Sequence, residues 1–552
     1  MSGNQKNKSS SFLVQGTVLA VASIISRIIG LVYRIPLTDI IGDVGNNYYG
    51  SAYDIYSILL IISSYSLPLA VSKLVSSRVA KGQRKNAYRI LKGSLAFALF
   101  TGTLATLLVL FGASYITGTI FKTPLSIFAL RVLAPNLIIV AILGVLRGFF
   151  QGLGTMMPSA VSQIIEQIVN AVVSVVAAYF LFSYGAKIGA VLGNEEKYAA
   201  AYGAAGGTLG TLLGACAALL FIFFLYVVYM HVFKRSMRRD RTKKVESYRT
   251  IFKVLLLTIV PVLLSTTIYN ISSVIDQGIF KNCALYIGSS EDDIDLWWGV
   301  FVGKYKVLIN VPISIASALA ASSVPALAAS FANKEQDMVR TQIGSAMHFS
   351  MIIAFPCTVG MALLASPILQ LLFHDSSELA ANMLMLGAIS IVLTSLSTLS
   401  NGILQGINRM KAPVINAVIA LIAHVAVLLA LLFGSSLYIY AVVIANICFS
   451  LFMCILNQHC VKKYSGYRVD IIKVFLKPAV ASLIMGVFVW LSYKGVHFLF
   501  GNAISTVVAI LVGATVYFIV LLMLKGITEK ELKRFPKGTS LIRIAKKMHL
   551  LG

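Results

Sequence analysis

Charge is scarce in this chain. Only 12% of its 552 residues are Asp, Glu, Lys or Arg, and the acids are the rarer half, 20 against 46 Lys and Arg. With 58% hydrophobic residues, such a chain cannot be a string of water-soluble domains. Cysteine is sparse too: Cys216, Cys283, Cys357, Cys448, Cys454 and Cys460 form no Cys-x-x-Cys pair and mostly fall inside apolar runs, which points to neither a disulfide framework nor a metal site. Gly-x-x-x-x-Gly-Lys-Ser/Thr, His-Glu-x-x-His and the nucleophile elbow are all missing, and the seven histidines are dispersed, so ATP hydrolysis within the chain is not expected. What remains is the composition of an all-α polytopic membrane protein.

Apolar segments of spanning length recur near residues 12–35, 48–72, 93–116, 125–146, 158–184, 204–231, 254–280, 297–325, 341–364, 379–404, 413–433, 438–456, 474–493 and 503–524, fourteen in all. The first follows a polar stretch of ten residues and is too long for a signal-peptide core, so it is expected to be retained as a span. Charge tests the count independently, because connections on the cytoplasmic side should be basic. With a cytoplasmic N-terminus, 36 of the 46 basic residues fall on inside segments, among them seven over 73–92, Arg147, nine over 232–253 and eight over 525–552. Outside connections hold only Lys122, Lys187, Lys197, Lys281 and Lys494, together with ten acids that include Glu291, Asp292, Asp293 and Asp295. Both termini are therefore expected in the cytoplasm. The net charge of +26 is read as topology and contact with anionic lipids rather than nucleic-acid binding.

An internal repeat divides the chain. Gly148-Phe149-Phe150-Gln151-Gly152, followed by Pro158, recurs as Gly402-Ile403-Leu404-Gln405-Gly406, followed by Pro413. Each copy is read as turn chemistry at an inside end, with a proline opening the next helix. The copies enter six spans apart, so the repeats share an orientation. The expected architecture is an N-lobe over 1–231 (spans 1–6), a basic cytoplasmic linker over 232–253, a C-lobe over 254–456 (spans 7–12), and two extra spans with a basic tail over 457–552.

Five cations, Arg27, Arg34, Arg131, Lys304 and Lys306, lie in or at the edges of spans. Charge in such a setting is a functional-site hypothesis by default. Arg27 and Arg34 are seven residues apart, which puts them on nearly one helix face about 10 Å apart along the axis, a gap that suits a diphosphate. The competing reading is that they snorkel to the headgroups. Lys304 and Lys306 follow the interfacial pair Trp297 and Trp298, and one of them is equally explained as a surface anchor. Other polar residues at membrane depth are Asp54, Asp276, and Gln163, Glu166, Gln167 and Asn170, the last four on one face of the fifth span. They either line water or hold helices together by hydrogen bonds. Pro68, Pro261, Pro312 and Pro325 inside spans are candidate kinks, and Gly206, Gly210 and Gly214 mark close helix packing.

Ser26-Arg27-Ile28-Ile29-Gly30, Arg34-Ile35-Pro36, the Leu67-to-Lys73 stretch and the Gly-x-x-Gln-Gly turns resemble the polysaccharide-biosynthesis branch of the multidrug/oligosaccharidyl-lipid/polysaccharide (MOP) exporter superfamily, in particular the stage V sporulation protein B (SpoVB) and MurJ-type group. The resemblance covers nearly the whole chain. It implies two six-helix lobes of the MOP/MATE type plus two C-terminal helices, in the bacterial cytoplasmic membrane. It also implies export of undecaprenyl-diphosphate-linked saccharide, lipid II or a related glycan, by alternating access, in wall or spore-cortex synthesis, with cell-wall synthesis enzymes as candidate partners. First-span arginines that hold the diphosphate in that family carry over to Arg27 and Arg34. The family's eighth-span arginine is matched here by Lys306 or Lys304, and its second-span arginine only by Lys73 as a candidate. Lysine binds phosphate as a point charge without arginine's fork. No enzymatic step or cofactor is implied. The energy source is left open among proton or Na+ coupling through Glu166 or Asp276 and the membrane potential acting on the site's charge. Two other classes compete with this reading: a cation-coupled multidrug exporter of the MATE type, for which a cavity dominated by acids would be the better fit, and a sugar-polymerising membrane enzyme, which would need an acid-base constellation outside.

Overall fold

The computed structural model describes residues 18–19, 21–240, 242, 245–529 and 542–543. Lys6, Lys8, the start of the first span, Arg241, Lys243, Lys244 and most of the basic tail lie outside them. Among the described residues the regular structure is entirely helical. The chain folds into two compact units that divide between Gly303 and Lys304.

The first unit holds α1 (Val21–Val32), α2 (Arg34–Leu60), α3 (Leu67–Ala80), α4 (Arg84–Tyr115), α5 (Ile127–Leu133) and α6 (Asn136–Gly152). It continues with α7 (Met157–Leu192), α8 (Glu195–Arg238), α9 (Tyr248–Asn270), α10 (Ser272–Ile287) and α11 (Glu291–Val300). The second unit holds α12 (Lys306–Ala332), α13 (Gln336–Leu363), α14 (Ala365–Phe373), α15 (Glu378–Gly387) and α16 (Ser390–Gly406). After these come α17 (Lys411–Gly434), α18 (Ile439–Ser465), α19 (Lys477–His497) and α20 (Asn502–Met523).

Eleven described stretches are long and apolar enough to cross a membrane, or twelve if α15 and α16, bent by 43°, form one span. The other two of the fourteen expected spans are the first, whose start is not described, and the seventh, which consists of α9 and α10 broken at Ile271. Serine and asparagine caps mark several connections. Ser290 Oγ accepts from Asp293 N at the start of α11, where Glu291, Asp292 and Asp293 also favour the helix dipole.

The first span runs further than the sequence suggested. Backbone hydrogen bonds from Tyr33 to Ile29 and from Leu37 to Tyr33 join α1 to α2, and Pro36 sits in the first turn, where its missing N–H is tolerated. The bend comes at Gly42, whose φ of 67° is open to glycine at little cost. Arg34 therefore lies two helical turns before that bend instead of at the span's end. Pro68 follows a π-helical turn at Ile61–Tyr65, whereas the helices α9 and α12 run unbroken through positions 261, 312 and 325.

Where α7 meets α8, small residues face the contact and large apolar ones face out, while Trp298, Tyr48 and Phe149 fill the interior elsewhere. A methyl group on Gly206 or Gly214 would fall 2.5 Å from Ala177 O or 2.6 Å from Glu166 O, so α7 and α8 touch backbone to backbone, while Leu220, Phe224 and Val228 of α8 are exposed. That inversion is the lipid-facing pattern. Gly148 and Gly152 turn out to be packing residues as well as turn residues: a methyl on either would meet α3, at Pro68 O and Val75 Cβ. The repeat extends to the elements. A short helix precedes a 17-residue helix ending in the Gln-Gly pair in both copies, α5 with α6 and α15 with α16, and a helix with proline in its first turn follows each.

Ion pairs at the two ends of the first unit join segments assigned to the same side. Arg78 Nε lies 2.5 Å from Glu246 Oε1, both on inside segments, and Lys197 Nζ lies 2.6 Å from Asp292 Oδ1, both on outside connections.

Candidate functional site

Within the first unit, α1, α2, α6, α7 and α8 enclose a cavity of about 320 Å³. The polar stripe of α7 forms one wall with Glu166, Gln167 and Asn170, which helical spacing places one above another. Gln163, the fourth member of that stripe, instead ties α7 to α1: its Oε1 accepts from Ser23 Oγ at 3.3 Å and its backbone carbonyl from Ser26 Oγ at 3.4 Å. Arg27 is exposed and lines the cavity with Ser26 and Gly30. Tyr33, Tyr53 and Tyr56 contribute phenolic edges, and Asn136 donates to Tyr56 Oη at 2.9 Å. Asn170 is buried, accepts from Ser174 Oγ at 2.9 Å and reaches Tyr33 Oη at 3.5 Å. The cavity thus presents a guanidinium, a carboxylate, several amides and three tyrosines inside an apolar bundle. That set can hold an anion and hydroxyl-rich groups.

Arg34 does not line the cavity. Its guanidinium stacks over Tyr49, 4.1 Å from the ring centroid, and its Nη1 is buried with no hydrogen-bond partner among the described residues. Tyr49 stacks in turn on Tyr53 at 5.9 Å, and Tyr53 meets Tyr56 at 5.7 Å, so an aromatic row leads from Arg34 to the cavity wall. Asp54 points elsewhere and accepts from Ser273 Oγ at 2.8 Å. Asp276 is buried on α10 outside the cavity lining.

Lys304 and Lys306 belong to the second unit. Lys304 is buried, and its ammonium donates to Asp375 Oδ2 at 2.7 Å. Burial pushes the Asp375 carboxyl up, but the bonds from Lys304 and from Ser377 N outweigh it and hold the group below the usual carboxylate range. Lys306 is half-buried in the first turn of α12.

Two arrangements escape the sequence reading. Arg147, assigned there to an inside connection, lies within α6, donating from Nη2 to Glu166 Oε2 at 2.8 Å and from Nε to Ser162 Oγ at 2.8 Å. Lys281, assigned there to an outside connection, is fully buried: its Nζ donates to Asn47 Oδ1 at 2.6 Å and lies 3.5 Å from Asp295 Oδ1, which also accepts from Asn47 Nδ2 at 2.7 Å. The tyrosine row carried a sequence signal, the spacing of residues 49, 53 and 56 along one helix face. No such signal marked Arg147.

Apolar helices of spanning length around a polar, charged cavity define a polytopic membrane protein. The chain belongs to the family described as polysaccharide biosynthesis protein, whose profile matches residues 13–331, and the MatE profile matches residues 307–430. It is 28% identical over 543 residues to the lipid II flippase MurJ of Bacillus subtilis (strain 168), covering 92% of this chain and 94% of that one. Stage V sporulation protein B of the same organism is 24% identical over 526 residues, covering 95% and 98%. Among solved structures, the inward closed conformation of lipid II flippase MurJ superposes with a TM-score of 0.60 at 16% identity, over 91% of this chain and 98% of that one. An inward-facing multidrug resistance MATE family transporter of the MOP superfamily gives 0.64 at 18% identity, over 80% and 96%. The fold is that of the MurJ and MATE transporters.

Proposed function

We propose that the chain is a flippase that moves an undecaprenyl-diphosphate-linked saccharide, lipid II or a related glycan, from the inner to the outer leaflet of the bacterial cytoplasmic membrane. The observation that carries this reading is the cavity at Arg27. A guanidinium opening into a pocket lined by amides and tyrosines supplies a counter-charge for a diphosphate and hydrogen-bond partners for sugar. Burying a doubly charged group without such partners would be prohibitive in hydrocarbon. The polyprenyl tail needs no protein seat, since it stays in lipid. The similarity to lipid II flippase MurJ along 92% of the chain supports the same substrate class. The charge distribution favours cytoplasmic termini, and transport proceeds by alternating access. Arg27 acts on the diphosphate, whereas Arg34 is stacked on Tyr49 outside the cavity and Lys304 is bound to Asp375. Glu166 and Asp276 are the groups through which protons or Na+ would couple, with the membrane potential as the other source of drive.

The test is translocation of lipid II in proteoliposomes, read by access of an outside reagent to the headgroup. Wild type flips, and a folded Arg27→Ala protein loses at least about tenfold in rate, the worth of one charge-assisted hydrogen bond. Near-normal flipping by that variant would remove Arg27 from the mechanism. A second reading, a cation-coupled multidrug exporter, is favoured by the MatE match over 307–430 and by the carboxylate of Glu166 at the cavity. Drug-stimulated ion flux without lipid II flipping would establish it instead.

A further inference from the structure

The Arg147–Glu166 pair is not demanded by the helix packing around it. In the second copy of the repeat, the position of Arg147 relative to the Gln-Gly pair is held by Asn401, and the position of Glu166 relative to the helix-opening proline by Leu421. There Asn401 accepts from Asn457 Nδ2 at 2.8 Å, and a neutral amide chain holds the same helix type in place. The first copy instead keeps two opposite charges in an apolar bundle, a choice that neutral packing would match or better for stability alone. One of the two charges reaches the cavity. Glu166 lines it with a side chain 23% exposed, and Arg147, 13% exposed, stands one hydrogen bond behind. Arg147 is pinned on one side only: Nε bonds Ser162 Oγ, Nη2 bonds Glu166, and among the described residues its remaining donors have no partner.

We propose that Arg147 is a second cation for the anionic headgroup, kept in reserve by Glu166. Before the anion enters, Glu166 occupies the guanidinium of Arg147 and compensates its charge. An entering diphosphate offers Nη1 and Nη2 of Arg147 a better, forked acceptor. Its oxygens displace the Glu166 carboxylate, which turns toward the water of the cavity, while Ser162 keeps Arg147 aimed. When the anion leaves, Glu166 takes the guanidinium back. The site is then selective for anions that can outcompete a carboxylate, with Glu166 setting the affinity so that release stays fast. This proposal rests on the reading of the cavity as the seat of a diphosphate.

The experiment measures the affinity of purified full-length protein in detergent for undecaprenyl diphosphate, with melting temperature recorded for every variant. Removing the competitor, Glu166→Gln, should tighten binding by about tenfold or more, and Arg147→Gln should weaken it by a similar factor, the worth of one charge-assisted hydrogen bond. Arg147→Lys should keep part of the affinity. The double variant Arg147→Gln, Glu166→Gln should bind no better than wild type, because the tightening acts through Arg147. If the double variant keeps the gain of Glu166→Gln, simple repulsion by the carboxylate explains it and Arg147 is not a ligand. If both single variants lose affinity in step with a lower melting temperature, the pair is only a structural tie. Failure of the underlying reading looks different: wild type would not bind undecaprenyl diphosphate, and Arg27→Gln would change nothing.

Discussion

Lys281 is the buried cation whose cost can be worked most directly from its surroundings. It is 0% exposed, and its ammonium has Asn47 Oδ1 at 2.6 Å and Asp295 Oδ1 at 3.5 Å, the latter on a residue only 8% exposed. Gln277 Nε2 and Ser51 extend the network along α10 and α2, so three helices share it. Removing the anion leaves an uncompensated charge inside, which typically destabilises by about 3–5 kcal/mol. Asp295→Asn keeps the bond to Asn47 and should fall near the lower end, about 3 kcal/mol. Lys281→Met leaves a carboxylate that still accepts from Asn47 and lies closer to solvent, so its loss should be smaller, about 1–3 kcal/mol. With both changes no charge remains, and the double variant should be more stable than the sum of the singles predicts by about 2 kcal/mol. The assay is a double-mutant cycle on detergent-solubilised protein, followed by reversible SDS or thermal unfolding. Two singles each within about 0.5 kcal/mol of wild type and strictly additive would match an exposed pair. That result would refute the buried network.

Two further outcomes follow from the geometry. Tyr49→Leu removes the ring beneath Arg34 while keeping apolar volume, and should destabilise the protein by about 1–2 kcal/mol, a loss that Arg34→Lys would not repair; melting curves of the three proteins check this. Asp375, whose folded carboxyl is held below the usual value by Lys304 and Ser377 against the opposing effect of burial, contributes stability above its unfolded pKa of about 3.9 that is lost as pH falls through the lower folded value. The gap in melting temperature between wild type and Asp375→Asn should therefore be wide at neutral pH and close on acidification below about pH 4. A gap that stays constant would sink the pairing argument.

Patterns that depend on neighbours along one helix were legible without coordinates. Apolar runs long enough to span, basic connections on alternate sides, and the stripe of Glu166, Gln167 and Asn170 all follow from helical rise and period, which are properties of a single segment. Arg27 was visible for the same reason, as a permanent charge in an apolar run. In the sequence the first apolar run ends at residue 35, which puts Arg34 at the end of the span. The helix continues because proline is tolerated in a first turn, and the break falls at Gly42, where the backbone needs positive φ.

Pairings between helices were decided by the tertiary structure alone. Lys304 reads in sequence as a cation near two tryptophans, yet its partner Asp375 lies 71 residues away, and the two neutralise each other on packing. Arg147 reads as a loop charge because it lies five residues before the end of α6, and only the return of α7 beside it brings Glu166 within 2.8 Å. Lys281 reads as an outside charge, but α2 and α11 close over it and supply Asn47 and Asp295. The sequence by itself determined the class of protein, its apolar runs and repeat, and one wall of the cavity, because burial in lipid constrains each segment separately. Which charges meet was settled by packing, since an ion's partner is chosen by distance in space and not along the chain.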